Sequence, residues 1–549
     1  MVSKTRIGEN YISLPSSVRE GIRTTNTLAK KRYLIIYFII ITLSAQPAIF
    51  WFWLLWQLFP PPAMWFYALF PVFLIVGLVI LIFSSIITSK IFLFFINLIY
   101  KPKEGVFERS TSDRDYRYWS LRSVVRKWPA WLVRHLNLPL FETIAFKILG
   151  IKTSFSCALN EGWVDCEFVE IGKNVKIGQG SVIMSNILIQ DKLIVRKVVI
   201  KDNVVIGVHS VVTPGTIIES NAILDSISMT AINQHLKPNS IYSGIPAEII
   251  EQNNPIMEKK KLENEIFEKI VEATYNEEDL KLHSKDLTVP FHFYVITGWL
   301  IIGGSYIAPA FLFLLYIYGF FIPNVFSNPI TLNIFQNWTI ITYLLITPII
   351  IVGIYIFHLF FVALFAKWFY KRAKKRGPKE GIIDRNLDEQ STQMDYYHFG
   401  SFLMKYPIFS VIRSPFPWLI RWELNFMGSV RSGKGTIYEE GYYLHSLIDC
   451  GKNCYFGTFA HITNHLVDGV YGTENLTFYG AKIGDNCIFS SLMGGLPGLE
   501  IGDNVTFLPM GTTIKYDKIG SDGIYSFFPA KRLSKEEIEN LTGGELDRE

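Results

Sequence analysis

The chain has 549 residues, 50% hydrophobic and 15% aromatic, which is rich for a soluble protein and long enough for several domains. Its net charge of +5 gathers beside long apolar runs, so it reads as contact with a lipid bilayer, and with no basic and aromatic motif present no nucleic acid partner is expected. Five cysteines, an odd number, include one "CGKNC" pair (Cys450, Cys454) with no second pair at finger spacing, so no metal site is expected.

Residues 1–32 form a basic segment with seven Lys or Arg against two Glu, and no small-residue cleavage site follows a short apolar core, so a cleaved signal peptide is not expected. From Tyr33 to Ser89 no Asp, Glu, Lys or Arg occurs in 57 consecutive residues, whereas a spanning helix needs only about 20 apolar residues. Residues 33–100 are therefore expected to form a transmembrane hairpin, broken at Pro60 to Pro62. Residues 101–150 are basic and aromatic, and read either as a helical segment along the membrane surface or as a helical subdomain packed on the core.

In residues 151–250 Ile171, Ile177, Ile183 and Ile189 recur every six residues, as do Ile200, Ile206, Val212, Ile218 and Leu224. Six fits neither an α-helix nor an alternating strand, but it fits a hexapeptide parallel β-helix in which each side of a coil turns one aliphatic residue inward. Residues 251–289 are charged and contain helix formers, so they read as a helical linker.

The pattern then repeats. Residues 290–366 are a second hairpin turning near Phe320 to Pro329, residues 367–428 a second surface segment, residues 429–533 a second β-helix, and residues 534–549 a tail. "KPKEG" (101–105) returns as "GPKEG" (377–381), and "IYSGIPAEII" (241–250) as "IYSFFPAKRL" (524–533). The fold class is thus membrane α plus all-β, two tandem copies of a hairpin followed by a β-helix. "KWFYKRAKKR" (367–376) carries six cations and no acid, and both turns are uncharged. The positive-inside rule then places a multi-pass protein in the cell membrane with its β-helices on the cytoplasmic face.

Both hexad ladders break at the same point, after Ile189 in the first copy and after Ile462 in the second. His465 opens the longer excursion, with Asn464 and Asp468 beside it, and Asn186 is its counterpart in the first copy. A histidine near its ordinary pKa of about 6.5 can take an acceptor's proton, and Asp468 could hold its ring in one tautomer; Asn186 cannot act as a base. The first copy is therefore expected to be degenerate, a wall or acceptor platform. His461 reads as a scaffold residue and His209 as an exposed repeat residue.

"ITNHLVDG" (462–469) and "LKPNSIYSGIPAEII" (236–250) resemble the hexapeptide-repeat acyltransferases, the maltose and galactoside O-acetyltransferase group, which have left-handed β-helices. The tandem architecture over about residues 30–535 is similar to the C-terminal membrane region of nonribosomal peptide synthetases such as poly-lysine synthetase, with no adenylation or carrier domain in this chain. The resemblance implies an acyl or aminoacyl transferase with His465, Asn464 and Asp468 as catalytic candidates. It implies a thioester donor, acyl-CoA or a phosphopantetheine carrier protein, and an amine or hydroxyl acceptor. It also implies Lys531 and Arg532 beside coenzyme A phosphates, a carrier protein or adenylation enzyme as partner, and a homo-oligomer or an internal cleft between the two copies. The rival class is a non-catalytic membrane scaffold that docks a biosynthetic enzyme. A transporter is disfavoured, because the spans hold no acidic or basic residue and His358 stands alone.

Overall fold

The computed structural model describes residues 20–547 except 60–63, 136–138, 158, 160, 253–290, 385–391, 442–445 and 469–474. The break at Pro60 to Pro62, most of the N-terminal segment and nearly all of the expected linker lie outside the described residues.

Four described helices are long and apolar enough to cross a membrane: Tyr33–Leu58, Tyr67–Ile99, His292–Phe326 and Trp338–Arg376. α1 (Tyr33–Leu58) and α2 (Met64–Ile99) run antiparallel, since Ser84 Oγ donates to Ser44 O at 2.5 Å and Trp51 Nε1 to Phe73 O at 3.1 Å. α3 (Arg114–His135) and α4 (Pro139–Leu149) follow. α5 (Phe291–Tyr316) and α6 (Trp338–Arg376) pair in the same way, through Tyr316 OH and Thr347 Oγ1 at 2.7 Å. The second turn comes later than the sequence suggests. The helix widens to a π coil over Ile317–Phe326 that accommodates Pro323, which has no N–H to give to a regular turn. The two pairs touch: Trp53 Nε1 donates to Asn328 O at 3.0 Å and Gln46 Nε2 to Leu344 O at 2.9 Å. α6 runs ten residues beyond the uncharged run, to Arg376. α7 (Thr392–Ile412) and α8 (Ile420–Met427) lead into the second set of strands.

Each set of strands winds as a three-sided coil of parallel sheets with an 18-residue turn. In coil 1 Val205 pairs with Ile223 and Ile217 with His235, and in coil 2 Lys482 pairs with Glu500 and Ile488 with Thr506. Inward residues such as Ile183, Ile206, Val212 and Leu224 are fully buried. Each removes apolar surface worth about 1.5–3 kcal/mol per large side chain. The corners are built by asparagine. Asn174, Asn203, Asn221 and Asn239 have φ between 53° and 60°, a left-handed conformation that Asn tolerates better than most residues, and each amide donates to the next at 3.0–3.3 Å. Asn453, Asn486 and Asn504 repeat the ladder in coil 2.

Inside coil 2 one inward row is aromatic, not aliphatic. Tyr438, Phe456, Phe489, Phe507 and Tyr525 stack with centroids 4.7–5.8 Å apart.

Both ladders are interrupted where the sequence breaks. Asn174 to Asn203 spans 29 residues and Asn453 to Asn486 spans 33, against 18 elsewhere. The extra chain forms an antiparallel arm: Asn186–Ile189 with Lys192–Val195 in the first half, and His465–Asp468 with Asn475–Phe478 in the second. A strand from the segment after each hairpin, Gly105–Glu108 or Gly381–Asp384, completes each three-stranded sheet. Ile189 is therefore an arm residue rather than a coil rung, because its strand turns away to pair with Lys192.

α3 is a packed helix, buried against both coils. Arg134 pairs with Glu440 of coil 2, and Lys127 Nζ donates to Thr24 Oγ1 at 3.0 Å. Coil 1 presents Trp163, Val182, Val211 and Met229 to Leu508, Met510 and Ile524 of coil 2. The tail is a strap. α9 (Lys535–Thr542) begins with a Ser534/Glu537 capping box, Leu541 O accepts from Ile232 N at 3.0 Å, and Glu545 pairs with Arg196.

Candidate active site

The same place in each half differs in content. In the second half the end of α6, the middle of α7, the start of coil 2 and the base of its arm enclose a cavity of about 480 Å³, lined by Tyr370, Lys374, Tyr397, Gly400, Ser446 and Asn464 among others. In the first half the corresponding space is about 30 Å³.

The reason is legible by aligning α3 on α7 through Pro129 and Pro407. Arg122 and Arg126 stand where the second half has Gly400 and Met404, and Glu167 where it has Ser446. Glu167 Oε1 accepts from Arg122 Nε at 2.5 Å and Arg126 Nη2 at 2.8 Å, filling the space with an ion-paired plug. Burial works to raise the Glu167 carboxyl, but Arg126 and Arg122 outweigh it and hold the group below its ordinary value. The strand Gly21–Arg23 pairs with Gly162–Asp165 and adds to the filling, with Arg23 Nη1 2.9 Å from Asp165 and Asn186 Nδ2 2.7 Å from the same carboxylate.

His465 begins the second arm, directly after Asn464 in the cavity wall, and its ring meets Tyr397 edge-on at 5.6 Å. Its Nδ1 lies 3.1 Å from Asn464 Oδ1 and 3.1 Å from Thr463 Oγ1. The tautomer follows from the network. Asn464 Nδ2 donates to Ser446 Oγ at 3.0 Å, which turns Oδ1 toward the ring as an acceptor, and Thr463 Oγ1 donates its own proton to His465 O at 2.9 Å. Nδ1 therefore carries the proton, and the ring's lone pair is on Nε2. Burial, helped by the nearby charge of His398, pushes the imidazole down to about 4, so the ring is neutral at pH 7.

The other sequence candidates divide. Asn464 is brought to His465; Asp468 is not. The alternation of a strand puts residues 465 and 468 on opposite faces, and Asp468 Oδ2 instead accepts from Lys515 Nζ and Thr477 Oγ1, both at 2.8 Å. Burial raises that carboxyl, and those two partners more than reverse it. Lys531 and Arg532 are exposed, bound to Glu537 at 2.6 Å and Asp522 O at 2.8 Å, four strand spacings along the sheet from Tyr455–Phe456 of the coil turn that holds His465, about 19 Å. Neither lines the cavity. His461 is an exposed strand residue and His209 an exposed corner residue with φ 52°. The face between the two copies lies on the Asn186 side: Leu188, Leu193 and Val195 of the first arm pack on Tyr455 and Ile488 of coil 2, whereas Val467 of the second arm is 42% exposed. The cleft expected between the copies is thus not where His465 stands.

All five cysteines are buried and free, and among the described residues no group of His, Cys, Asp or Glu is arranged to hold a metal ion. Tyr397, His398, Thr463, Ser446 and Gly400 escaped the sequence reading. The contrast of Gly400 and Met404 with two arginines in the other half was the available signal.

No protein-family model matches the chain, and no curated protein matches it. Similar solved structures include AntD, an N-acyltransferase from Bacillus cereus in complex with dTDP and 3-hydroxybutyryl-CoA, 18% identical over 22% of this chain and 78% of that one, TM-score 0.13. Two more are a hexapeptide-repeat containing acetyltransferase from Vibrio cholerae, 16% identical over 21% and 81%, TM-score 0.17, and a maltose O-acetyltransferase from Clostridium difficile 630, 16% identical over 22% and 78%, TM-score 0.17. Likenesses at these scores fix neither the fold nor the activity of the chain.

Proposed function

We propose that the protein is a membrane-anchored acyl or aminoacyl transferase, with two hairpins in the bilayer, both coils left-handed β-helices on the cytoplasmic face, and one working site, in the second half. The observation that carries this reading is the inequality of two equivalent places: one open, with Asn464 in its wall and the His465 ring bonded to that asparagine, the other plugged by arginines and bearing Asn186. A structural role alone gives no reason to keep one cavity open.

In the proposed step Nε2 of His465 takes the proton of an acceptor hydroxyl or amine as that oxygen or nitrogen attacks the thioester carbonyl. The C–S bond breaks, and the imidazolium returns the proton to the departing thiolate, leaving an ester or amide and a free thiol. Asn464 and Thr463 hold the ring in the tautomer this requires. The donor is acyl-CoA or a loaded carrier protein; a carrier would bring a second polypeptide, with an adenylation enzyme behind it. Lys531 and Arg532 have no part in this reading, since they lie far along the coil. Labelled acetyl-CoA, or a loaded carrier, mixed with the full chain and with candidate amines and sugars should yield labelled acceptor. Thioester consumption no faster than without protein would favour the docking scaffold instead.

A further inference from the structure

This inference rests on the reading above and names the acceptor class. The wall that α6 supplies to the cavity includes Tyr370, Ala373 and Lys374. The uncharged run of that helix ends at Ala366. At 1.5 Å per residue these side chains stand about 6 to 12 Å beyond it, against a headgroup layer of roughly 5–8 Å on each side of the hydrocarbon. The cavity thus begins at headgroup depth and runs away from the hydrocarbon toward Asn464.

Its charge is arranged for an anion. Among the described residues Lys374 makes only a 3.4 Å bond to Gly428 O, and Lys379 stands beside it on the rim. The lining cations Lys374, Lys379 and Arg431 outnumber its two acids: Glu380, which accepts from Gly480 N at 2.8 Å, and Asp449, 3.8 Å from Arg431. Ser429 Oγ, in the same wall, is buried without a hydrogen-bond partner among the described residues. In the first half Leu98 occupies the place of Lys374, and the space is plugged.

We infer that the cavity receives the phosphate-bearing head of a membrane lipid as acyl acceptor. The lipid chains remain in the bilayer, the phosphate lies by Lys374 and Lys379, and a hydroxyl or amine of the head extends past Asn464 to give its proton to His465 Nε2.

The test is retention of radiolabelled phosphatidylglycerol by the full chain in uncharged detergent with no acyl donor present, using diacylglycerol as the uncharged control and glycerol 1-phosphate and inorganic phosphate as competitors. One saturable site for phosphatidylglycerol and none for diacylglycerol is expected. Lys374→Ala, an exposed change that leaves the fold intact, should weaken retention at least fivefold. Gly400→Leu should abolish it by filling the space, since a Cβ there meets Ala373 and Tyr370 only at 3.6 and 3.9 Å. Equal retention by wild type and both variants overturns the inference, and so does competition by either soluble phosphate at the lipid's own concentration, which would assign the site to a free phosphate. Because binding is read without a donor, its failure leaves acyl transfer standing, whereas failed transfer with binding intact leaves the lipid site standing.

Discussion

Glu167→Ser strips Arg122 and Arg126 of the carboxylate they share while both remain buried, at 4% and 7% exposure. Breaking a buried pair by removing one partner costs about 3–5 kcal/mol, and two cations lose their partner here, so the upper end of that range is expected. Adding Arg122→Gly and Arg126→Met completes the second half's composition at the site and leaves no stranded charge; the residual cost is about 1 kcal/mol for a glycine inside a helix, plus the opened space. The triple variant should therefore be more stable than the single one. Thermal unfolding of the purified chain in detergent, followed by tryptophan fluorescence, reads this directly. Because the Glu167 carboxyl is held below its ordinary value, its contribution is present above pH 4.5 and fades as pH falls below it, so the gap between wild type and Glu167→Ser should narrow in acid. A single variant that melts with the wild type, or a triple variant that melts below the single, would refute the plug.

Phe489→Ala, at the centre of the aromatic stack and fully buried, should cost about 3–5 kcal/mol, read as a lowered melting temperature. Burial raises Glu20 to about 8, so the wild type loses stability as pH climbs from 4.5 toward 8. Glu20→Gln should accordingly raise the melting temperature at pH 8.5 and change it little at pH 4. The transfer rate should have an acid limb near pH 4 rather than 6.5, since His465 is held down, and should be flat from pH 6 to 8. Asn464→Ala should lower kcat without changing the donor's KM, because it releases the tautomer and touches no donor.

The helices and coil 1 were legible because their signals are local: uncharged runs of spanning length, and aliphatic residues every six positions. Coil 2 was harder to read because Phe456, Phe489 and Phe507 fill the inward row, and an aliphatic count passes over them. The strand of Gly381–Asp384 pairs across about a hundred residues with Asn475–Phe478, a contact no local pattern announces. The same holds at the site. His465 and Asn464 are neighbours in sequence and stay neighbours in space, whereas Asp468 follows the strand's alternation to the other face and Tyr397 arrives from a distant helix. The buried arginines of α3 resembled a surface segment because their partners, Glu167 and Glu440, lie in two different coils.

The most direct measurement compares His465→Ala with Asn186→Ala in single-turnover acyl transfer from a labelled thioester. Loss of a general base is worth about 10² to 10⁴ in rate. The account predicts that loss for His465→Ala, with an unchanged melting temperature, and none for Asn186→Ala. Transfer that survives in His465→Ala, or that is lost only in Asn186→Ala, would contradict it.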